Sequence, residues 1–312
     1  MADPVALAAL ALDALIGWPG SLYRRVGHPV GGFARVIGAC EQRWNTPDRT
    51  QRQRRTLGVA AMLLLLIGTA LFALLLELLI RHALGASAWV AIALLAWPAL
   101  AQRSLFDHVR PVAAALEDGN LPAARHAVAM IVGRDTDALD SAGIARAGIE
   151  SLAESFCDGV VAPLFWLLVA GLPGLWCYKA INTADSLIGH KEPRWRAYGW
   201  AAARIDDAAN WIPARLAGVL LCIAGAGGWR VMWLDCRRHA SPNAGWPEAA
   251  MAGALGVALA GPIAYDGQMQ MKPWIGDGAA AARAADLNRA LAVYVRACAL
   301  LWVLVGIVAW LR

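Results

Sequence analysis

The fold class is decided by residues 57 to 80, which read LGVAAMLLLLIGTALFALLLELLI. As an α-helix at roughly 1.5 Å per residue this segment would extend about 36 Å, which exceeds the hydrocarbon core of about 30 Å. Its one charged residue, Glu77, lies close enough to the end for the carboxylate to reach the interface. The segment is therefore predicted to cross a membrane.

The whole chain has the same apolar character. Of its 312 residues 59% are hydrophobic and 16% are charged, which is too apolar for an ordinary soluble domain. We predict an all-α, polytopic integral membrane protein with about four to six membrane helices, some of them broken or re-entrant. Residues 1–312 are predicted to form a single membrane domain, with the lipid bilayer as its surroundings.

Arginines indicate which side of the membrane each connection occupies. Residues 23 to 55 carry eight of them: Arg24, Arg25, Arg35, Arg43, Arg49, Arg52, Arg54 and Arg55. By the positive-inside rule this segment is cytoplasmic, in a multi-pass protein of the cell inner membrane. The net charge of +5 thus reflects topology and anionic ligands. No basic run with interleaved aromatics predicts a nucleic-acid surface.

Two stretches interrupt the pattern of simple crossings. Residues 102–159 are predicted to be a cytoplasmic amphipathic helical region, broken at Gly119-Asn120-Leu121-Pro122. Pro163 and the run from Gly171 to Gly174 predict a broken or re-entrant helix. The basic residues of the 179–210 segment predict that it also faces the cytoplasm, with the active site.

Acidic residues recur at helical spacing towards the end of the 102–159 region. In GRDTDALDSAGIARAGIESLAESFCDGVVAP, residues 133 to 163, the acids Glu150, Glu154 and Asp158 stand at i, i+4 and i+8. Such a stripe suits Mg²⁺ carrying the phosphates of a nucleotide. The alternative is a solvated helix face with the acids in water.

Two further polar ridges have a spacing of i, i+3 and i+6. Lys179, Asn182 and Asp185 form the first, and Arg204, Asp207 and Asn210 form the second, with Asp206 beside it. A cation, an amide and an acid on one face can hold a phosphate and its metal. The alternative is that these residues pair with one another as buried bridges between helices.

Other residues provide weaker signals. His28 could be a ligand or a proton carrier, although a lone histidine is more often satisfied locally. Trp246 and Trp274 lie in polar, Gly/Pro-rich segments, which we interpret as loops where a flat ligand could stack. P-loop and Rossmann glycine patterns are missing from the sequence, as are a Ser-centred elbow and HExxH.

Long ordered blocks of the sequence resemble the membrane adenosylcobinamide-phosphate synthases of cobalamin biosynthesis, the CobD/CbiB family. The resemblance rests on HPV at 28–30, IVGRDT at 131–136, DGVVAPLF at 158–165, YKAIN at 178–182 followed by DS at 185–186, ARIDDAANWIPAR at 203–215, and SPNAGWPEAAMAGALGV at 241–257. It implies an ATP- and Mg²⁺-dependent ligase that joins adenosylcobyric acid to aminopropanol or aminopropanol phosphate. It also implies a homo-oligomer or association with other cobalamin-assembly enzymes.

With that reaction we assign expected roles to the polar residues. Catalysis is expected of Asp206, Asp207 and Lys179. Nucleotide binding is expected of Arg134, Asp135, Glu150, Asn182, Arg204, Asn210 and Arg215. The corrinoid substrate is expected to contact His28, Asn243, Trp246 and Glu248. The metal is expected to bind Glu154, Asp158 and Asp185.

Two other classes of protein share some of these features. A Mg²⁺-dependent intramembrane prenyltransferase also places acids and amides on membrane helices, but it needs an N-D-x-x-D pattern that neither ridge supplies. A non-catalytic transporter or scaffold would also contain broken helices and buried charge pairs. A corrinoid that co-purifies with the protein would favour the ligase.

Overall fold

Helices form most of the described part of the chain. The computed structural model describes residues 4–133, 135–265 and 268–311, and within them there are fourteen α-helices and four short strands. The helices are α1 (Val5–Ile16), α2 (Gly20–Val26), α3 (Val30–Trp44), α4 (Gln51–Leu84), α5 (Ala88–Ala96), α6 (Gln102–Glu117), α7 (Leu121–Ala129), α8 (Ser141–Phe156), α9 (Ala162–Ile188), α10 (Trp200–Ala209), α11 (Trp211–Ala224), α12 (Trp229–Asp235), α13 (Gly245–Leu255) and α14 (Ala284–Leu311).

The prediction of an all-α membrane protein is confirmed. Three helical stretches of the described residues are long and apolar enough to cross a membrane: Gln51–Glu117, Ser141–Ile188 and Ala284–Leu311. The number rises to five if each of two bent helix pairs is counted as one span. Helix α4 contains the whole of the segment that decided the fold class.

Helix α4 begins at a capping box. The hydroxyl of Thr50 accepts from the backbone N–H of Gln53 (3.3 Å), and the amide oxygen of Gln53 accepts from the backbone N–H of Thr50 (2.9 Å). Two of the N–H groups that a helix start leaves without partners are thereby satisfied. The capping box therefore determines where the helix starts, ahead of its apolar segment.

Contacts between Cα atoms divide the chain into two units. Unit 1 comprises Met1–Ala101, Ala162–Asn210 and Val308–Arg312, and unit 2 comprises Gln102–Val161 and Trp211–Ile307. The single membrane domain over 1–312 and the cytoplasmic placement of 102–159 stay predictions.

In unit 1, α4 packs against α3, α5, α9 and α10. Helix α9 is interrupted as predicted, because Ala170 and Gly171 have non-helical backbone angles and Gly171 has a φ of 61°. Arg194, in the connection between α9 and α10, binds the buried Glu41 of α3 with an N–O distance of 3.2 Å. Asn45 donates to the same carboxylate at 2.9 Å. The connection is thus attached to the arginine-rich segment that the positive-inside rule assigns to the cytoplasm.

In unit 2, α13 packs against α8, α11 and α12, and α6 packs against α7 and α8. Strand β1 (Leu259–Ala260) pairs antiparallel with β4 (Trp274–Ile275), and β2 (Ile263–Tyr265) pairs antiparallel with β3 (Gln268–Gln270). These strands are not predicted from the sequence. They place β1 against α8, where its backbone reaches the side chain of Glu150.

Candidate functional site

A polar cavity of about 200 Å³ lies in unit 2. Its lining combines carboxylates, a lysine, a histidine and two serines with residues 131–133 and Ala260 of β1. The lining residues are Ile131, Val132, Gly133, Glu150, Ser151, Glu154, Ser155, His239, Glu248, Ala260 and Lys272. Charged groups lining a concave surface are a common feature of binding sites.

Helix α8 supplies one wall of the cavity. The helix starts at Asp140, whose side chain accepts from the backbone N–H of Gly143 at 2.7 Å. Glu150 and Glu154 follow one turn apart, so both carboxylates reach the cavity. Ser151 donates to the carbonyl oxygen of Ile131 at 2.7 Å. This bond attaches the 131–133 segment to the same helix.

Glu150 also connects the helix to strand β1. Its side chain is buried, and Oε1 accepts from the backbone N–H of Ala260 at 2.8 Å. Ala260 has a φ of 58°, a left-handed conformation that a residue with a Cβ rarely adopts. Backbone strain of this kind concentrates at functional sites, and here it borders the cavity.

Glu248 lines the cavity from the first turn of α13. The side chain is buried, and Oε1 lies 3.7 Å from Nε2 of His239. The other ring nitrogen of His239 accepts from the backbone N–H of Ser241 at 3.0 Å. Because Nδ1 is an acceptor, the proton of a neutral His239 lies on Nε2, towards Glu248.

Arg215 is held beside α13 by three groups. Its guanidinium donates to Oδ1 of Asn243 at 2.6 Å and to the carbonyl oxygen of Trp211 at 2.8 Å. It also lies over the ring of Trp246, 4.7 Å from the ring centroid. Asn243 and Trp246 therefore position a cation, and Arg215 occupies the ring face that a flat ligand would use.

The interpretation of the two tryptophans as loop residues is wrong. Trp246 belongs to the first turn of α13, and Trp274 belongs to strand β4. Arg146 lies over the Trp274 ring at 5.2 Å from its centroid. A Gly/Pro-rich segment resembles a loop in sequence, but here proline stands in the first turn of a helix, where its missing N–H has no cost.

The acidic stripe of the sequence is continuous only as far as α8. Glu150 and Glu154 line the cavity, whereas Asp158 lies in the π-helical turn Cys157–Val161 and is not among the lining residues. Asp135 makes a local turn, its carboxylate accepting from the backbone N–H of Asp137 at 3.1 Å. Arg134 is outside the described residues.

A second polar group lies in unit 1, where α9 packs on α10. Arg204 and Asp207 form an ion pair at 2.9 Å. The amide of the buried Asn210 donates to Oδ2 of Asp206 at 3.1 Å, and its oxygen accepts from the hydroxyl of Tyr178 at 3.0 Å. The chain Tyr178–Asn210–Asp206 thus fixes the orientation of one carboxylate. Tyr178 was missed in the sequence, although a buried tyrosine hydroxyl requires a partner.

One residue of the first ridge, Asp185, lies close to this group. Asp185 is near enough to Asp207 and Arg204 to interact with their charges. The pKa of His28 is lowered by burial and, to a smaller extent, by the charge of Lys179. The Nδ1 atom of His28 accepts from the backbone N–H of Val30 at 3.3 Å. His28 is therefore favoured as a neutral imidazole.

The described residues contain no group of three or more His, Cys, Asp or Glu side chains arranged to hold a metal ion. Magnesium that arrives with a nucleotide usually takes only one or two protein carboxylates, and its other ligands are phosphates and water. Glu154 lines the cavity of unit 2, and Asp185 lies in unit 1. The assignments of Glu154, Asp158 and Asp185 to the metal stay predictions.

Comparison with known proteins identifies the family. A family model described as CobD/Cbib protein matches residues 6–294. The chain belongs to this family. The CobD relative of Rhodobacter capsulatus is 49% identical over 97% of this chain and 96% of its own length. A Sinorhizobium relative is 48% identical over 93% of this chain and 93% of its own length. A relative from Brucella suis is 46% identical over 92% of this chain and 90% of its own length.

All three CobD relatives have the name cobalamin biosynthesis protein CobD. The resemblance is therefore confirmed over nearly the whole chain, and with it a role in cobalamin biosynthesis. No solved structure matches the chain.

Proposed function

We propose that the protein is an ATP-dependent amide ligase that joins adenosylcobyric acid to aminopropanol or to its O-phosphate. The product is adenosylcobinamide or its phosphate. Membership of the CobD/Cbib family over residues 6–294 supports the pathway. The observation that supports a ligase chemistry is the cavity of unit 2, where buried carboxylates and a lysine line a space of small-molecule size.

The chemistry explains why both signs of charge are needed. A carboxylate is a poor electrophile, so ATP must first convert it into a reactive acyl derivative. Cations are needed around the transferring phosphoryl group, and Arg134, Lys179 and Arg204 are the proposed ones. Bound Mg²⁺ would neutralise phosphate charge, and Asp158 and Asp185 are among its proposed ligands.

The amine must lose a proton before it can attack the acyl carbon. Asp206 is the better-supported base of the two adjacent aspartates, because Asn210 and Tyr178 hold its carboxylate in one orientation. Asp207 is instead engaged by Arg204 in an ion pair at 2.9 Å, so a cation already occupies its carboxylate. A fixed carboxylate can take a proton at a defined atom, and this is what general base catalysis requires.

We propose that the active site faces the cytoplasm from the inner membrane. The bonds from Glu41 and Asn45 to Arg194 and its backbone attach the 179–210 segment to the arginine-rich residues that follow α3. A segment bound to a cytoplasmic one shares its side of the bilayer.

The test is a reconstituted reaction. Purified protein in detergent is incubated with adenosylcobyric acid, either amine, ATP and Mg²⁺, and the corrinoid is analysed by mass spectrometry. The expected product has the mass of acid plus amine less one water. Unchanged corrinoid with both amines, from folded protein, would contradict the proposed ligase.

An oxygen label distinguishes the two routes of activation. We propose phosphoryl transfer, so ¹⁸O placed in the reacting carboxyl is expected in inorganic phosphate, with ADP as the other product. If the label enters AMP instead, the carboxylate is activated by adenylylation. In that case the phosphoryl-transfer route is wrong, and the ligase assignment stands.

A further inference from the structure

The cavity of unit 2 has a lining of unequal charge. Among the described residues of this lining there are three carboxylates, Glu150, Glu154 and Glu248, together with Lys272 and His239. We propose that this cavity binds the amine substrate, with the carboxylates around its ammonium group. The inference rests on the proposed ligase, because only that reaction supplies the amine.

Size favours the amine over the other two substrates as the molecule that the cavity encloses whole. A cavity of about 200 Å³ lies below the roughly 300–1,000 Å³ of pockets that enclose drug-sized ligands. A corrin macrocycle or an adenosine group exceeds this space, whereas an amino alcohol or its phosphate ester has only a few heavy atoms. The amine is therefore the substrate that the cavity can enclose.

Charge indicates how the amine is oriented. Glu150 and Glu248 are 7% and 3% exposed, so an ammonium group between them would be screened little by water. Lys272 contributes a positive charge to the same lining. It would attract the oxygen-bearing end of the molecule, which is a hydroxyl in aminopropanol and a phosphate in the ester.

The charges of the lining also favour an amine over Mg²⁺ as the ligand of this cavity. A lysine in the lining would repel a bare divalent cation. A dipolar molecule with an ammonium and an oxygen function matches both signs of charge. Glu154 is then a residue that binds the amine, in place of its predicted role as a metal ligand.

Glu154→Gln is the decisive variant. Glu154 is exposed and lies on the wall of the cavity, so the substitution removes its charge with little risk to folding. Glu248→Gln tests the buried carboxylate, and thermal unfolding of both variants checks that they fold. Asp118→Asn is the matched control, because it removes an exposed carboxylate of unit 2 that does not line the cavity.

The readout is amide formation with each substrate varied in turn. Glu154→Gln is expected to raise the KM for the amine about tenfold or more, while the KM for ATP stays within about twofold. Lys272→Met is expected to raise the KM for aminopropanol phosphate more than the KM for aminopropanol. Asp118→Asn is expected to leave all of these constants unchanged.

Two results would overturn the proposal. One is an unchanged KM for the amine in Glu154→Gln, and the other is a KM for ATP or Mg²⁺ that rises instead. Titration calorimetry of 1-amino-2-propanol into wild type and Glu154→Gln tests the cavity without catalysis. Binding that is weakened in the variant supports the amine site even if no amide forms, in which case only the ligase assignment fails.

Discussion

Glu77 compensates for the break in helix α9, and its removal should destabilise unit 1. The interruption at Ala170 and Gly171 leaves backbone N–H groups without helical partners in an apolar segment. No water is available in hydrocarbon to replace them, and each unsatisfied group is costly there. The carboxylate of Glu77 on α4 accepts from the backbone N–H of Leu172 at 3.1 Å. Arg81 donates to the other carboxylate oxygen at 2.7 Å.

The magnitude follows from these two contacts. A hydrogen bond to a charged group contributes about 1.5–3 kcal/mol. The Arg81 side chain is 50% exposed, so its ion pair adds at most about 1 kcal/mol after screening. Glu77→Ala is therefore expected to lower the free energy of unfolding by about 2–4 kcal/mol. Glu77→Gln keeps an acceptor for Leu172 and should lose only about 1 kcal/mol.

The assay is equilibrium unfolding in mixed micelles, followed by circular dichroism as the fraction of denaturing detergent increases. Leu78→Ala is the control, because the adjacent Leu78 is 56% exposed in α4 and makes no comparable polar contact. The loss in free energy of unfolding should be largest for Glu77→Ala, smaller for Glu77→Gln and smallest for Leu78→Ala. A loss in Glu77→Ala no larger than that of Leu78→Ala would refute the reasoning.

Three further outcomes are expected. A Cβ at Gly58 would overlap the carbonyl of Tyr198, so Gly58→Ala should cost about 1–3 kcal/mol of stability in the same assay. At Gly68 an added Cβ would have no neighbouring atom within 4 Å outside its own helical backbone. Gly68→Ala should therefore cause no loss of stability. Burial lowers the pKa of His28, so its stabilising contribution is present above pH about 6.5 and lost as pH falls. Between pH 7.5 and pH 5.5 the melting temperature of His28→Gln should therefore fall less than that of the wild type. A single cysteine from Arg196→Cys, in a cysteine-depleted background, should resist an impermeant thiol reagent in intact cells; ready labelling would contradict the cytoplasmic placement.

Part of the cavity lining follows from helical spacing, because that spacing is a local property of the sequence. Glu150 and Glu154 line one cavity as their spacing of four residues predicts. Asp158 does not line that cavity, because a π-helical turn follows α8 and no residue type in the sequence announces it. His239 and Lys272 were overlooked, because each stands alone in a connecting segment and becomes significant only beside Glu248 and the rest of the lining.

The class of the protein and the positions of several helices follow from the sequence alone. Hydrophobic length predicts α4, and glycine and proline predict the breaks before α7 and within α9, because these effects act over a few neighbouring residues. Only the tertiary structure decided which groups satisfy one another. Glu77 and Leu172 are 95 residues apart, and Glu150 and Ala260 are 110 apart. Such partners are chosen by packing, which brings distant backbone to a carboxylate that would otherwise be buried without compensation.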